Sequence, residues 1–486
     1  MDQMFNIIKF IHKQQAMDEE FSVDPSQLLE AASDLSTYIY IMFQAFVLVG
    51  LVADSQKVRR LACIAISSLL ENTDKTIAVQ LVLQHDVYPL LLSCCIDGDE
   101  QVAAASSEAI RNLAGYEEGL GIVLPASTSE ATHLGNIAEK CSSLGRVRVL
   151  ALIVRLFSAS RSVASEVSRS GILSLLEAEV RNTNDTLVTL SVLELIYELA
   201  EVEHSAEFVS KTSLLQLLSS VISNDAADSI LRSRAMMIAG RFLSKENAFA
   251  FIDESSFRSV LSAIDRRFDF LESQAADECE CALEALGQIG SSFQGATIVL
   301  TTAPPTARHI VKAAFDRQQH GKQLAALHSL GNIAGENRTG NTVLLNSTAE
   351  DTLRSLIYDE ASKTSKLTPS GLLLSVLQQD SEIRIAGYRV ISGLVARPWC
   401  LTEIISKPEI IALVTNTHRE THKIGMENRH RCCEAIYKVF ALSSKLMGDP
   451  AFADMASKLE EAIRRGPYGA RKHAEAQPMV VTADRF

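Results

Sequence analysis

The sequence predicts an all-α protein built as a solenoid of stacked helical repeats, and three observations predict it. Glycine and proline, which interrupt helices, number 23 and 11 in 486 residues. Together they make up about 7% of the chain, whereas ordinary globular proteins contain roughly 12%. An apolar face with the period of a helix recurs along most of the sequence, and its copies are nearly evenly spaced. Because stacked repeats contact only their neighbours, we expect a single elongated, curved domain.

The recurring face places small or apolar residues at positions +3, +4, +7, +8, +11 and +12 from a start residue, which is one side of a helix. Nine copies begin at Val58, Val102, Val149, Val188, Leu231, Glu278, Lys322, Ile383 and Arg429. Successive starts are 39 to 47 residues apart, apart from one spacing of 61. Periods of about 40 to 47 are typical of armadillo and HEAT repeats. A second helix is predicted between these copies, for example after Val87, Gly171 and Pro408.

These repeats define the predicted domain organisation. Residues 1–45 fit no repeat and are expected to be an irregular extension, residues 46–465 form the solenoid, and residues 466–486 form an extended tail. The long spacing indicates an insertion at about 336–371, as a loop or a short extra helix. The apolar run 38–53 has 16 residues, fewer than the roughly 20 of a membrane span. We interpret it as a buried helix of the first repeat and expect no membrane partner.

Charge and cysteine content exclude several classes of protein. The formal net charge is −13, which opposes binding to nucleic-acid phosphates and favours a basic protein surface as the partner. Nine cysteines without a Cys-x-x-Cys pair are too few for a disulfide scaffold. Reduced thiols of this kind indicate a protein of the cytoplasm and nucleus.

A search for catalytic or metal-binding motifs leaves no candidate active site. His418 and His422 lie four residues apart on a predicted helix, but the glutamate between them is displaced by one position from the zinc-protease pattern. The glycines of 287–290 and 331–335 lie at helix ends, not between a strand and a helix, so they predict helix packing and not a phosphate site. We therefore predict no enzymatic activity, no cofactor, no metal and no small-molecule substrate.

Positions +6 and +10 of the repeating helices remain outside the apolar face. In armadillo stacks these positions line a concave groove, and in the middle repeats of this chain they are polar. One interpretation is a solvated helix face, and the other is a protein-binding groove, which the continuous row favours. We call this set the polar ladder: Glu108, Asn112, Arg155, Glu194, Glu198, Arg241, Glu284, Gln288, Asn332 and Arg389. In the groove interpretation its glutamates present negative charge and its arginines fix the register of the partner.

Two segments resemble the armadillo signature of nuclear import adaptors, 110–115 (IRNLAG) and 327–335 (LHSLGNIAG). In that family, groove asparagines hold an extended peptide. Only Asn112 and Asn332 match them here, no repeat has the tryptophan of the signature, and no basic N-terminal arm is present. An armadillo-type adaptor or scaffold is the alternative function.

A closer resemblance covers most of the chain from about residue 49. The segments 285–295 (ALGQIGSSFQG), 387–399 (GYRVISGLVARPW) and 466–468 (GPY) resemble the 26S proteasome non-ATPase regulatory subunit 5 family, and the tail 480–486 is similar to plant members. The resemblance implies a chaperone of proteasome base assembly. Such a chaperone holds the C-terminal domain of an ATPase-ring subunit through its solenoid and departs before the mature particle forms. It implies no catalytic residues, and we expect a monomer when free. Before about Phe46 the sequence departs from the family pattern.

Overall fold

The computed structural model describes residues 43–72, 75–84, 86–125, 132–182, 185–271 and 276–468. Within these ranges every regular element is a helix and no strand is present, which confirms the predicted all-α, armadillo/HEAT-like solenoid class. Contacts along the chain define two compact units, one within residues 1–238 and 251–253 and the other within 239–250 and 254–486. The elongated, curved single domain stays a prediction.

In the described residues of unit 1, the first element is a π-helix, Phe43–Leu48. Its α-helices are α1 (Val49–Leu51), α2 (Gln56–Asn72), α3 (Lys75–Gln84), α4 (Val87–Asp97), α5 (Glu100–Leu113), α6 (Glu117–Val123), α7 (Leu134–Lys140), α8 (Ser143–Ala159), α9 (Arg161–Arg169), α10 (Ser174–Arg181), α11 (Thr186–Glu201), α12 (Ser205–Val209) and α13 (Leu214–Ser223). Two helices contribute residues to both units, α14 (Ser229–Leu243) and α15 (Ala248–Phe251).

Unit 2 contains the remaining α-helices of the described chain. They are α16 (Glu254–Leu271), α17 (Ala276–Ile289), α18 (Phe293–Thr301), α19 (Ala307–Phe315), α20 (His320–Ala334), α21 (Ser347–Lys363), α22 (Pro369–Leu377), α23 (Ser381–Leu394), α24 (Pro398–Ile405), α25 (Pro408–Thr415), α26 (Lys423–Leu442), α27 (Ser444–Met447) and α28 (Ala453–Arg464). Two 3-10 turns, Gly340–Thr342 and Pro450–Phe452, interrupt the series.

Polar side chains cap the starts of several repeating helices. Asp99, Asp185 and Asp380 each accept a hydrogen bond from a backbone N–H in the first turn of α5, α11 and α23, at 2.8 to 3.2 Å. Such a cap satisfies a donor that has no partner inside the helix and stabilises it by about 1 kcal/mol. The same local rule therefore sets the starts of these three helices, whereas α20 and α26 begin after Gln319 and His422 without a side-chain cap.

The final helices of successive repeats pack against one another in each unit. In unit 1, α2 contacts α5, α5 contacts α8 and α8 contacts α11, and in unit 2 the series is α17, α20, α23 and α26. The +8 position of the predicted face is fully buried in eight of the nine copies, at Ile66, Ile110, Phe157, Ile196, Ala239, Leu286, Leu330 and Ile391. The predicted period therefore identifies the core face correctly.

Two glycines show how closely these helices approach. A Cβ at Gly287 of α17 would lie 2.2 Å from the Ser329 hydroxyl of α20, so no larger residue fits there. Gly335 ends α20 with a φ of +91°, a left-handed conformation that glycine adopts without strain. Both glycines thus have the packing and terminating roles that their sequence context predicts.

The segment 336–371, predicted as an insertion, contains a long helix that belongs to the core. Its 17-residue helix α21 packs on α18 and α19. The buried face of α21 consists of Ala349, Leu353, Ile357 and Ala361. Arg397, at the start of α24, is only 2% exposed and donates from Nε to Glu350 Oε2 at 2.7 Å and from Nη2 to Glu350 Oε1 at 2.9 Å. An ion pair therefore fixes α21 to the next repeat.

The two ends of the chain are described only in part. The predicted extension 1–45 lies outside the described residues up to position 42, and the tail does so after position 468. Gly466–Tyr468 turns back onto α26, because Pro467 O accepts from Arg429 Nη2 at 3.3 Å and the Tyr468 hydroxyl donates to Glu427 Oε1 at 2.6 Å. In the part of the chain that is described, no helix is long and apolar enough to cross a bilayer.

Candidate protein-binding surface

The polar ladder occupies the side of the repeating helices that the core leaves uncovered. In unit 1 it lies on α5, α8 and α11, and in unit 2 on the end of α14 and on α17, α20 and α23. None of its ten residues is buried, and Glu194, Glu198 and Glu284 are exposed. The core residues beside them, such as Ala109 and Leu195, are at most 8% exposed. Helical periodicity alone therefore places the ladder on an accessible face.

Glu108 and Arg155 connect neighbouring repeats of unit 1 electrostatically. Glu108 Oε1 accepts from Arg111 Nη1 at 2.7 Å, and its Oε2 lies 3.7 Å from Arg155 Nη1. Arg155 also donates to the carbonyl of Ala104 at 3.3 Å. All three charged side chains are close to 40% exposed, so these pairs are solvent-screened and contribute about 0 to 1 kcal/mol each. They can exchange partners at little energetic cost.

Asn112 is engaged inside the solenoid. Its Nδ2 donates to Ser67 Oγ at 2.7 Å and to Glu71 Oε1 at 2.6 Å, both on α2. Beside it, α2 and α5 enclose an open groove of about 520 Å³. The groove is lined by Arg60, Ile64, Ser67, Ser68, Glu71, Gln101, Ala104, Ala105 and Glu108. Apart from Ile64, its walls are small or polar side chains, among them two carboxylates and one guanidinium.

Glu194 pairs with a residue that the sequence interpretation missed. Arg234 of α14 donates from Nη2 to Glu194 Oε2, and its guanidinium carbon lies 4.2 Å from the ring centroid of Tyr197. Glu198, one turn further along α11, is exposed. The available signal was that Arg234 occupies a +3 position, where most other repeats carry an apolar or small residue. A cation at that position reaches the ladder instead of the core.

The ladder of unit 2 is centred on Arg389. Its Nε donates to Glu336 Oε2 at 2.7 Å, its Nη2 donates to Asn332 Oδ1 at 3.1 Å, and its Nη1 lies 2.5 Å from His328 Nδ1. Asn332 Nδ2 in turn donates to the carbonyl of Gly287 at 3.3 Å. Burial, together with the Arg389 charge, lowers the pKa of His328 to about 4. The imidazole is therefore neutral at pH 7, and its Nδ1 can accept a hydrogen bond from the Arg389 guanidinium.

The remaining ladder residues of unit 2 are Glu284, Gln288 and Arg241, and Glu284 makes the uncovered face of α17 acidic. Burial raises the pKa of Glu284, and the nearby Glu280 carboxylate raises it further. Gln288 Oε1 has no hydrogen-bond partner among the described residues, and Arg241 lies half-buried at the end of α14. A cation approaching Glu284 would relieve its repulsion with Glu280, so this part of the ladder suits a basic group.

The catalytic and metal motifs considered in the sequence do not form a site. The prediction of a helix over His418 and His422 is wrong, because His418 lies in a turn and His422 immediately precedes α26. The chain leaves the helix there because Glu420, 3% exposed, accepts hydrogen bonds from Arg384 Nη2 and the Tyr388 hydroxyl, each at 3.0 Å. No group of three His, Cys, Asp or Glu side chains suited to a metal ion occurs within the described ranges.

The cysteines behave as small apolar residues. Seven of the nine are buried and all are free thiols. Burial raises the pKa of the Cys400 thiol to about 12 and that of Cys433 likewise to about 12. A thiol that stays protonated at neutral pH is a poor nucleophile. These positions therefore fit packing and not chemistry.

Comparison with known proteins identifies relatives over most of the chain. The family model described as Proteasome non-ATPase 26S subunit matches residues 38–485. The chain is 21% identical over 430 residues to 26S proteasome non-ATPase regulatory subunit 5 of Homo sapiens. This alignment covers 86% of this chain and 79% of the human protein. The protein of the same name from Bos taurus shows the same identity and coverage.

Solved structures with similar folds share little sequence with this chain. A Kap121p mutant is 12% identical, with a TM-score of 0.47, over 94% of this chain and 53% of that protein. A designed armadillo repeat protein in complex with a (KR)4 peptide is 14% identical, with a TM-score of 0.40, over 54% of this chain and 99% of that protein.

Proposed function

This chain belongs to the Proteasome non-ATPase 26S subunit family, and on that premise we propose that it is a non-catalytic chaperone for assembly of the base of the 26S regulatory particle. In this proposal the solenoid binds the C-terminal domain of an ATPase-ring subunit and leaves before the mature particle forms. The observation that carries the proposal is the extent of the family match, which includes every described helix from the first to the last.

The polar ladder supplies a surface suited to reversible binding of a folded domain. Its charges are half-buried or exposed, so each contact with a partner is worth about 0 to 1 kcal/mol. Many such contacts give specificity and fast association, while no single contact prevents release. Glu198 and Glu284 extend negative charge towards solvent, and a basic patch on the ATPase subunit is the complementary surface.

The adaptor alternative is weakened by the state of its two asparagines. A peptide-holding asparagine must offer its amide to an extended backbone. Asn112 already donates to Ser67 and Glu71, and Asn332 donates to Gly287 O and accepts from Arg389. Both amides therefore connect neighbouring repeats, and peptide binding would have to break these hydrogen bonds.

The proposal includes the conditions in which the protein works. We propose that it acts in the cytoplasm and nucleus, as a monomer when free, and without cofactor, nucleic acid or small-molecule substrate. The raised thiol pKa values of Cys400 and Cys433 fit a chain whose cysteines stay reduced and buried. The net charge of −13 fits a protein partner with a basic surface.

Affinity purification of the tagged chain, followed by mass spectrometry, tests this function. We expect ATPase-ring subunits in near-stoichiometric amount and little 20S core particle. Recovery of nuclear import receptors and their cargo would support the adaptor instead. A useful control is the Leu286→Asp variant, which should lose every specific partner because it disrupts the core of unit 2 and not any one surface.

A further inference from the structure

Three aliphatic side chains stand exposed at one recurring position of unit 1. Leu144, Leu187 and Ile230 are each the second residue of a repeating helix, α8, α11 and α14 respectively. Each follows the previous one by 43 residues, and their exposed fractions are 61%, 77% and 59%. Single exposed aliphatic residues are ordinary, whereas an aligned row marks an interaction surface. We call these three residues the apolar ridge.

The fold does not require aliphatic side chains at the positions of the apolar ridge. The two preceding helices of the series, α2 and α5, carry Lys57 and Gln101 at the same second position, and both are exposed. The helix starts beside the ridge are capped by the side chains of Ser142, Asp185 and Asp228, which accept backbone N–H hydrogen bonds at 3.2, 3.1 and 2.8 Å. These caps therefore do not depend on an aliphatic side chain at the second position.

The rise of an α-helix laid across the repeats is close to the distance between packed helices. Helices that pack side by side lie about 8 to 10 Å apart. Helix α8 contacts α11, and α14 reaches α11 through the ion pair of Arg234 with Glu194. A helix rises about 10.5 Å in seven residues. A partner helix with an apolar side chain at every seventh position therefore meets the ridge residues in turn.

Charge around the ridge selects the flanks of that helix. Asp185 and Asp228, the caps beside Leu187 and Ile230, are exposed carboxylates. Lysine or arginine next to the apolar positions of the partner would lie opposite these carboxylates and raise the association rate. Acidic flanks would be repelled. The ridge thus fits a basic amphipathic helix.

We propose that the apolar ridge binds a basic amphipathic helix of the ATPase-ring subunit, a step that rests on the proposed chaperone function. The helix crosses the starts of α8, α11 and α14, inserts apolar side chains around Leu144, Leu187 and Ile230, and places its cations beside Asp185 and Asp228. The ridge lies at the start of these helices, so it adds a contact that the polar ladder does not supply.

Binding of the purified C-terminal domain of the co-purifying ATPase subunit tests the ridge. The triple variant Leu144→Ser, Leu187→Ser, Ile230→Ser should bind at least about tenfold more weakly, which is the usual loss for truncating central interface residues. The double variant Lys57→Ser, Gln101→Ser changes the same helix position in α2 and α5, so it should bind like the parent. Circular dichroism and Tm should match the parent for both, because all five side chains are exposed.

A second pair of substitutions separates charge from capping. Asparagine caps helices as well as aspartate, so Asp185→Asn with Asp228→Asn keeps the fold and removes the two carboxylates. This variant should bind more weakly at low salt and like the parent at high salt.

Parent-like binding by the triple serine variant would overturn the ridge while leaving the chaperone function intact. No complex with the parent chain would reject the chaperone function, and the ridge proposal with it. A parent dimer that the triple variant loses would show that the ridge pairs two copies of this chain, which also overturns the proposal.

Discussion

Arg397 and Glu350 provide a test of how the segment 336–371 is held in the core. Arg397 makes two hydrogen bonds to the Glu350 carboxylate, at 2.7 and 2.9 Å, and two more to the carbonyls of Ala334 and Gly393, both at 2.9 Å. The change Glu350→Gln keeps the shape of the side chain and removes its charge. The guanidinium then remains 2% exposed without a counter-ion.

The expected loss follows from this geometry. Removing one partner of a buried ion pair lowers the free energy of unfolding by about 3 to 5 kcal/mol. The Glu350 side chain is 20% exposed and glutamine still accepts one hydrogen bond, so we expect about 3 kcal/mol, at the lower end of that range. With a urea m value of about 2 kcal/mol per molar, the midpoint should fall by more than about 1 M.

Trp399 makes the measurement specific to this region. It is the single tryptophan of the chain, and its ring centroid lies 5.7 Å from that of Tyr358 on α21. Its fluorescence during urea unfolding therefore reports the docking of α21. The matched control is Lys458→Met, which breaks an exposed ion pair with Asp454 and should change stability by less than about 1 kcal/mol. A parent-like midpoint for Glu350→Gln would refute the account of α21 as part of the core.

Three further predictions concern the core, pH and salt. Leu286→Asp puts a charge at a fully buried position and should lower the free energy of unfolding by several kcal/mol. Thermal unfolding followed by the circular dichroism signal of the helices measures this loss, and a parent-like Tm would contradict it. The pKa of His328 is lowered from 6.5 to about 4 in the folded state, so as the pH falls from 6.5 to 4 the histidine is protonated in the unfolded state before it is protonated in the folded state. Tm should therefore fall over this pH range, and it should fall less in His328→Gln. An equal dependence of Tm on pH in the parent and the variant would contradict this. Glu194→Arg with Glu198→Arg loses the ion pair of Glu194 with Arg234, whose side chains are 57% and 25% exposed, so Tm should barely move. Affinity for the ATPase domain should fall more at low salt than at high salt, and salt-independent, parent-like binding would contradict the ladder assignment.

The repeats could be predicted from sequence because their signal is local. The residues of each core face lie within one helix, and a cap such as Asp99 or Asp380 lies a few residues before that face. Helix α21 had the same signal, with Ala349, Leu353, Ile357 and Ala361 at intervals of four residues. The Asn-, Thr- and Ser-rich approach to it, together with the break in the repeat period, led to the prediction of an insertion.

The contacts of the ladder could not be predicted, because they join residues of different repeats. The sequence places Glu194 and Arg389 on an uncovered helix face, but their partners Arg234 and Glu336 lie 40 and 53 residues away. Which side chain meets which depends on the offset between stacked helices. Buried charges such as Arg397 were missed for the same reason, since periodicity assigns a charged residue to the surface.

Density-gradient sedimentation of extracts containing the tagged chain tests the chaperone function most directly. The account predicts that the chain sediments with ATPase-ring subunits in complexes smaller than the 26S particle, and that fractions with assembled 26S proteasome contain almost none of it. Blocking assembly of the base should increase the amount in the small complexes. Stoichiometric presence of the chain in assembled 26S particles, or sedimentation without any ATPase subunit, would contradict the account.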